Sequence, residues 1–237
     1  MTLAHDDAVA IELLLAIRGG DLVAISGLLE QHPGLESARV VDRKGKGWRT
    51  PLHMVTDWPG YFPNGPAIVR LLAQVGADPN DRATDPGSET PLHWAASSDD
   101  AEVAEALIDA GADVNVPGGS IGSPIENAVG YGCWHVARLL ATRGASIDAP
   151  WVASALGDRA RLAELLGPAP AASEGVNQAF WHACAGGQLR VAQYLKDLGA
   201  DIAYSPEYAH GQQVLEMASG ASTRRQALLE WLRSTAS

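Results

Sequence analysis

The tetrapeptide Thr50-Pro51-Leu52-His53 returns as Thr90-Pro91-Leu92-His93, followed by Trp94-Ala95-Ala96, with a weaker copy at Ser123-Pro124-Ile125-Glu126-Asn127-Ala128. Each copy leads to an apolar pair and a Gly-Ala stop: Leu71-Leu72 with Gly76-Ala77-Asp78, Leu107-Ile108 with Gly111-Ala112-Asp113, and Leu139-Leu140 with Gly144-Ala145-Ser146. Tyr194-Leu195 with Gly199-Ala200-Asp201 is a further one. The stops are 35, 33 and 55 residues apart, and the last gap holds two units because Leu165-Leu166 closes a shortened one. A repeat of this length restricts the fold to a stack of small supersecondary units, none of which buries its apolar face alone. The local chemistry fits helical pairs. Thr or Ser caps the first helix and Pro occupies its first turn, where a missing N–H costs nothing. The Ala pair lets two helices approach closely, and Gly supplies the left-handed stop.

This pattern resembles the ankyrin repeat, whose signature is T-P-L-H-x-A at this period. The resemblance covers nearly the whole chain and implies an all-α repeat solenoid with short β-hairpin fingers. About seven helix-turn-helix repeats are expected, over residues 8–48, 49–88, 89–122, 123–150, 151–177, 178–211 and 212–237. Inner helices should begin near Thr50, Thr90, Ser123, Trp151, Gln178 and Gln213. The first and last repeats diverge, as the caps of a stacked array must. The expectation is a single domain over residues 1–237, with no room for a catalytic domain, and a monomer.

Composition removes several function classes. A formal net charge of −11 argues against nucleic acid, which needs clustered cations. Two cysteines, Cys133 and Cys184, exclude a disulfide scaffold and read as free packed thiols. No His pair sits at helical ligand spacing, so neither metal nor cofactor is expected. The start of the chain is an amphipathic helix, not a signal peptide, and no run reaches the roughly 18 uncharged residues of a membrane span, so a cytoplasmic location is expected. Arg outnumbers Lys 14 to 3, the composition of a GC-rich, bacterial source.

Function should lie where the repeats deviate. From Thr56 to Ile68 is twelve residues, whereas the equivalent span Ala96 to Val103 is seven. The excess falls in Asp57-Trp58-Pro59-Gly60-Tyr61-Phe62-Pro63-Asn64-Gly65-Pro66, with three aromatics and three prolines. This loop is expected to overhang the concave face, either packed on the next repeat or in contact with a ligand. In the neighbouring turn, Asp99 reads as the N-cap of its own outer helix or as half of a carboxylate pair facing Trp58. Met54, Trp94, Asn127 and His182 share one repeat position, Trp181 stands where His53 and His93 stand, and Tyr131 lies in an inter-helix turn. Together they suggest an aromatic groove. Trp134, Trp151 and Trp231 read as packing residues.

The resemblance gives His53 and His93 a structural role, bonding backbone between repeats. Gly118-Gly119-Ser120-Ile121-Gly122 matches a nucleophile-elbow pattern but falls in a finger, without the strand and sheet that motif needs. The first finger, Arg39 to Arg49, holds two of the three lysines and is basic. It is either a solvated tip or an orienting patch for an acidic partner.

The leading expectation is a protein-binding module. Trp58, Tyr61, Phe62, Asn64, Trp94, Asp99, Tyr131, Trp181 and His182 form its concave surface, and Arg43, Lys44, Lys46 and Trp48 its finger contacts. The alternative is a small apolar or aromatic ligand, or unconventional catalysis, under the 57–66 loop with His53, Asp57, His93 and Asp99 as polar groups. A closed pocket with converging His and Asp side chains would favour the alternative.

Overall fold

The computed structural model describes residues 1–83, 88–168, 173–219 and 225–235. Two compact units are formed, Met1–Ala145 and Ser146–Ser237.

The first unit holds four helical pairs. They are α1 (Ala8–Gly19) with α2 (Leu22–Gln31), α3 (Pro51–Thr56) with α4 (Gly65–Gln74), α5 (Pro91–Ser98) with α6 (Ala101–Asp109), and α7 (Pro124–Gly130) with α8 (Trp134–Thr142). Inner helices α1, α3, α5 and α7 stack in one row, and the outer helices in another. The second unit holds three pairs: α9 (Pro150–Leu156) with α10 (Arg159–Leu166), α11 (Glu174–Ala185) with α12 (Leu189–Asp197), and α13 (Val214–Ala218) with α14 (Gln226–Thr235). Its core gathers Leu162, Val176, Phe180, Trp181, Leu195, Leu228 and Leu232.

The repeated residues do what their chemistry requires. Thr50, Thr90 and Ser123 each form a reciprocal capping box with the residue three positions on, His53, His93 or Glu126. At the other end of each pair, Gly111 is typical. Its φ of 99° is open to glycine at little cost, and it turns the chain so that Ala112 N–H reaches Leu107 O at 2.9 Å. The same bond recurs from Ala77 to Leu72, Ala145 to Leu140 and Ala200 to Leu195. Leucine and the Gly-Ala stop therefore recur together because one buries the last turn and the other closes it.

The first finger is a hairpin of β2 (Arg39–Val41) and β3 (Trp48–Arg49), paired Val40 with Arg49 and Val41 with Trp48. A short N-terminal strand, β1 (Thr2–Ala4), adds to β2 in parallel. The second finger closes on one bond from Ala83 N–H to Glu89 O, 2.9 Å. Successive connections are held in register by asparagine: Asn80 donates to Gly111 O at 2.9 Å and accepts from Asp113 N–H at 2.7 Å.

The sixth pair starts at Glu174, four residues before the expected Gln178, because the Ser173 hydroxyl accepts from Val176 N–H at 3.3 Å and caps an extra turn.

Candidate functional site

The site is built outward from His53, which is fully buried. Thr50 N–H donates to its Nδ1 at 3.3 Å, so Nδ1 is the acceptor and Nε2 carries the proton. That Nε2–H donates to Glu89 O at 3.0 Å, tying the second repeat to the next finger. His93 repeats the device with Gly122 O and Gly118 O, 3.1 and 3.2 Å away. Burial lowers the pKa of both rings, that of His53 to about 4, which keeps them neutral. The edge of Trp94 packs against His53, with ring centres 5.0 Å apart at 75°. A structural histidine thus fixes the angle at which a half-buried tryptophan meets the concave face.

Trp94 forms a wall shared by two grooves. One, of about 420 Å³, lies between the first finger and the inner helices and includes Arg43, Trp48, Arg49, Met54 and Leu14. The other, of about 260 Å³, includes Asp57, Trp58, Glu89, Ser97, Ser120 and Tyr131. Trp58 is 79% exposed and Tyr131 53%. The hydroxyl of Ser120, in the glycine-rich finger, lies 3.0 Å from both Glu89 Oε1 and Tyr131 Oη. Glu89 Oε1 also accepts from Ser120 N–H and Asn127 Nδ2–H, at 2.8 and 2.9 Å.

The 57–66 insertion is a staple, and only part of it faces the groove. Towards the first repeat, Asn64 Nδ2–H donates to Gly20 O at 2.9 Å and Arg18 lies 5.9 Å from the Phe62 ring centre. Gly20, at φ 69°, leaves the space that Pro63 fills, and a Cβ there would collide with it. Towards the third repeat, Tyr61 N–H donates to Asp100 Oδ2 at 2.7 Å and its hydroxyl to Asp99 O at 2.6 Å. Tyr61, Phe62 and Asn64 therefore line a separate cleft with Arg70 and Glu102, away from Trp58.

Several expected site residues are corrected. Trp181, at 4% exposure, and His182, at 6%, are interior, because α11 buries this face in the core of the second unit. Asn127 and Met54 are likewise buried. Asp99 does not N-cap the outer helix of its own repeat but ends the inner one, its backbone N–H donating to Ala95 O; Asp100 is the N-cap, accepting from Val103 N–H at 3.2 Å. Asp99 sits in the left-handed conformation at φ 58° and reaches the next repeat, accepting from His135 N–H and Val136 N–H at 2.9 and 3.0 Å. Its other oxygen meets His135 Nδ1 at 2.7 Å. Asp57 is held by Arg49 at 2.7 Å and Arg18 at 3.5 Å. His53, His93, Asp57 and Asp99 thus each make structural bonds, and of these four Asp57 alone lines the groove under the loop.

Asp99 supplies a direct test of that cross-repeat cap. Asp99→Gly removes the cap but keeps the backbone free, and should cost about 1 kcal/mol. Asp99→Ala adds left-handed strain and should cost about 2 kcal/mol. Equal losses in urea unfolding would show that the backbone conformation carries no cost.

In the finger, Asp42 Oδ1 accepts from Lys44 and Lys46 N–H at 2.8 and 3.1 Å, setting the tip. Arg39 stacks on Trp48 at 4.2 Å. Lys44 and Lys46 line neither of these two grooves, whereas Arg43 and Trp48 belong to one. Sequence reasoning missed Glu89 and Arg49. Their partners lie 31 to 38 and 8 residues away, and no local pattern announces them.

Stacked helical pairs with a finger and a capping histidine, repeated along the chain, define a helical repeat protein. A sequence-family model described as ankyrin repeats (3 copies) matches residues 13–118 and 62–150, and the chain belongs to that family. Two curated relatives are similar over the repeats. Protein fem-1 homolog A of Rattus norvegicus is 38% identical over 81 residues, and that of Homo sapiens 40% over 80. Each match covers 30% of this chain and only 12% of the relative. Among solved structures, the human ASB11 ankyrin repeat domain matches with a TM-score of 0.54 and 23% identity, over 92% of this chain and 96% of that one, a likeness of fold.

Proposed function

We propose that this chain is a protein-interaction module that holds its partner on the concave face of the first unit. The observation that carries this reading is the pair of grooves sharing Trp94, flanked by the exposed Trp58 and Tyr131 on one side and by Arg43 and Trp48 on the other. Large amphipathic rings held on a rigid frame supply contact area at low entropic cost, and Trp is the commonest hot-spot residue. The second groove is shallow enough to leave Trp58 mostly exposed, which suits a protein surface better than an enclosed metabolite.

Affinity capture on the full chain tests this. A single stoichiometric protein partner should bind the wild type, and the double change of Trp58 and Trp94 to Ala should weaken it by roughly 30-fold or more. The variant's thermal midpoint is measured alongside, because Trp94 is half-buried. Capture that is indifferent to both changes in a folded variant removes this surface from the proposal.

A further inference from the structure

The groove beside the insertion combines three aromatic side chains with a carboxylate that has no ion-pair partner among the described residues. Trp58, Trp94 and Tyr131 line it together with Glu89. Glu89 accepts three hydrogen bonds from Ser120 and Asn127. Among the described residues, arginine ion pairs join Arg18 and Arg49 to Asp57, Arg143 to Glu105 and Asp109, and Arg161 to Asp148 and Glu164; histidine pairs join His5 to Asp6 and His135 to Asp99, and none involves Glu89. Asp57, the groove's other carboxylate, is already neutralised. A ligand entering here meets aromatic faces and one fixed negative charge, which is a cation site.

The rest of the molecule indicates which cation. Among the described residues, arginine lies over Trp48 at 4.2 Å, over Tyr194 at 4.6 Å and over Phe62 at 5.9 Å, and none lies over Trp58, Trp94 or Tyr131. Three aromatics of the fold thus already carry one of its own guanidinium groups, and the three that line this groove are open to one from outside. Guanidinium is planar and weakly hydrated, so it stacks on an aromatic face and still presents N–H donors to a carboxylate, which ammonium does less well.

We infer that this groove takes an arginine side chain of the partner protein, stacked between Trp58 and Tyr131 and paired with Glu89. The inference rests on the binding reading above and names the chemistry that surface recognises. The network behind Glu89 serves it: Asn127 and Ser120 hold the carboxylate in place, and the backbone carbonyl of the same residue is anchored by His53, which also positions Trp94.

The test needs no known partner. Peptides are selected from a random display library on the immobilised full chain, and the best binder is titrated calorimetrically. The selected peptides should share an arginine. Changing it to citrulline, which keeps the shape and removes the charge, should weaken binding about tenfold. Glu89→Gln, which keeps an acceptor oxygen for Ser120 and Asn127, should cause a similar loss, and the two losses together should fall short of additive. The citrulline arm leaves the protein unchanged, so it reads out even if the variant is destabilised. Peptides weakened by Trp58→Ala but indifferent to citrulline overturn the arginine and leave the binding reading standing. Selection that returns no binder, or only binders indifferent to Trp58→Ala, overturns both.

Discussion

Changing His53 to alanine is expected to lower the unfolding free energy by about 3–5 kcal/mol. The ring is fully buried, so its removal leaves a cavity beside Trp94. It also strands Thr50 N–H, which Nδ1 now satisfies, and takes from Glu89 O one of its two bonds, leaving only that from Ala83 N–H. A stranded buried group costs about 1–3 kcal/mol, and a large-to-small change in a core adds a similar amount. His53→Gln should recover part of the loss, because a carboxamide can reach one of the two partners. Urea unfolding followed by tryptophan fluorescence measures both variants. An alanine cost below about 1 kcal/mol would show that the cross-repeat bond to Glu89 carries no stability. The change should also loosen Trp94 and so weaken binding at the groove.

The same histidine shows what the sequence made legible and what it did not. The period, the Thr-Pro starts and the Gly-Ala stops are local signals. Each depends on a residue's own backbone preference or on a partner within five positions, and the seven helical pairs among the described residues follow from them. The structural role of His53 and His93 came with the family resemblance. The groove was only partly legible. Trp58, Trp94 and Tyr131 were singled out as exposed or concave aromatics, and they line one groove. Trp181 was misplaced because repeat alignment fixes the row a residue occupies, whereas the length of α11 and the packing around it decide which side of the row is open. Asp99 was misread for a related reason. A carboxylate before an outer helix looks like its cap, but Asp100 takes that role and frees Asp99 to cap the helix of the following repeat. Glu89 escaped notice altogether: nothing in a finger's sequence distinguishes a solvated carboxylate from one held by residues more than 30 positions away.

Acidification should destabilise the chain well before its carboxylates titrate. His53 and His182 have pKa values lowered from 6.5 to about 4 by burial, and burial lowers His93 as well. His182 is enclosed with its ring 4.8 Å from that of Trp151 and its Nε2 2.9 Å from the Tyr208 hydroxyl. In the unfolded chain these rings return to the ordinary value. Above pH 6.5 they are neutral in both states, and the stability they support is fully present. As pH falls from 6.5 towards 4, the unfolded chain takes up protons that the folded chain refuses, so stability declines by up to about 1.4 kcal/mol per pH unit for each such ring. Below about 4 the folded His53 and His182 rings protonate too and their slope ends. One effect opposes it. The chain carries a formal −11 at pH 7, and losing negative charge relieves self-repulsion. A free carboxyl takes up its proton at lower pH than a free imidazole, so that relief comes later than the histidine effect. The histidine effect therefore prevails between pH 6.5 and 4.5, and the thermal midpoint should fall by roughly 10 °C or more across that window. Each unit contains such a histidine, so every resolved unfolding transition should shift. A variant with His182→Phe, which keeps a ring against Trp151, should lose part of the slope in the second unit while retaining it in the first. A midpoint that is flat from pH 7 to 4.5 would show that the rings protonate in place, and hence that the histidine bonds between repeats open without cost.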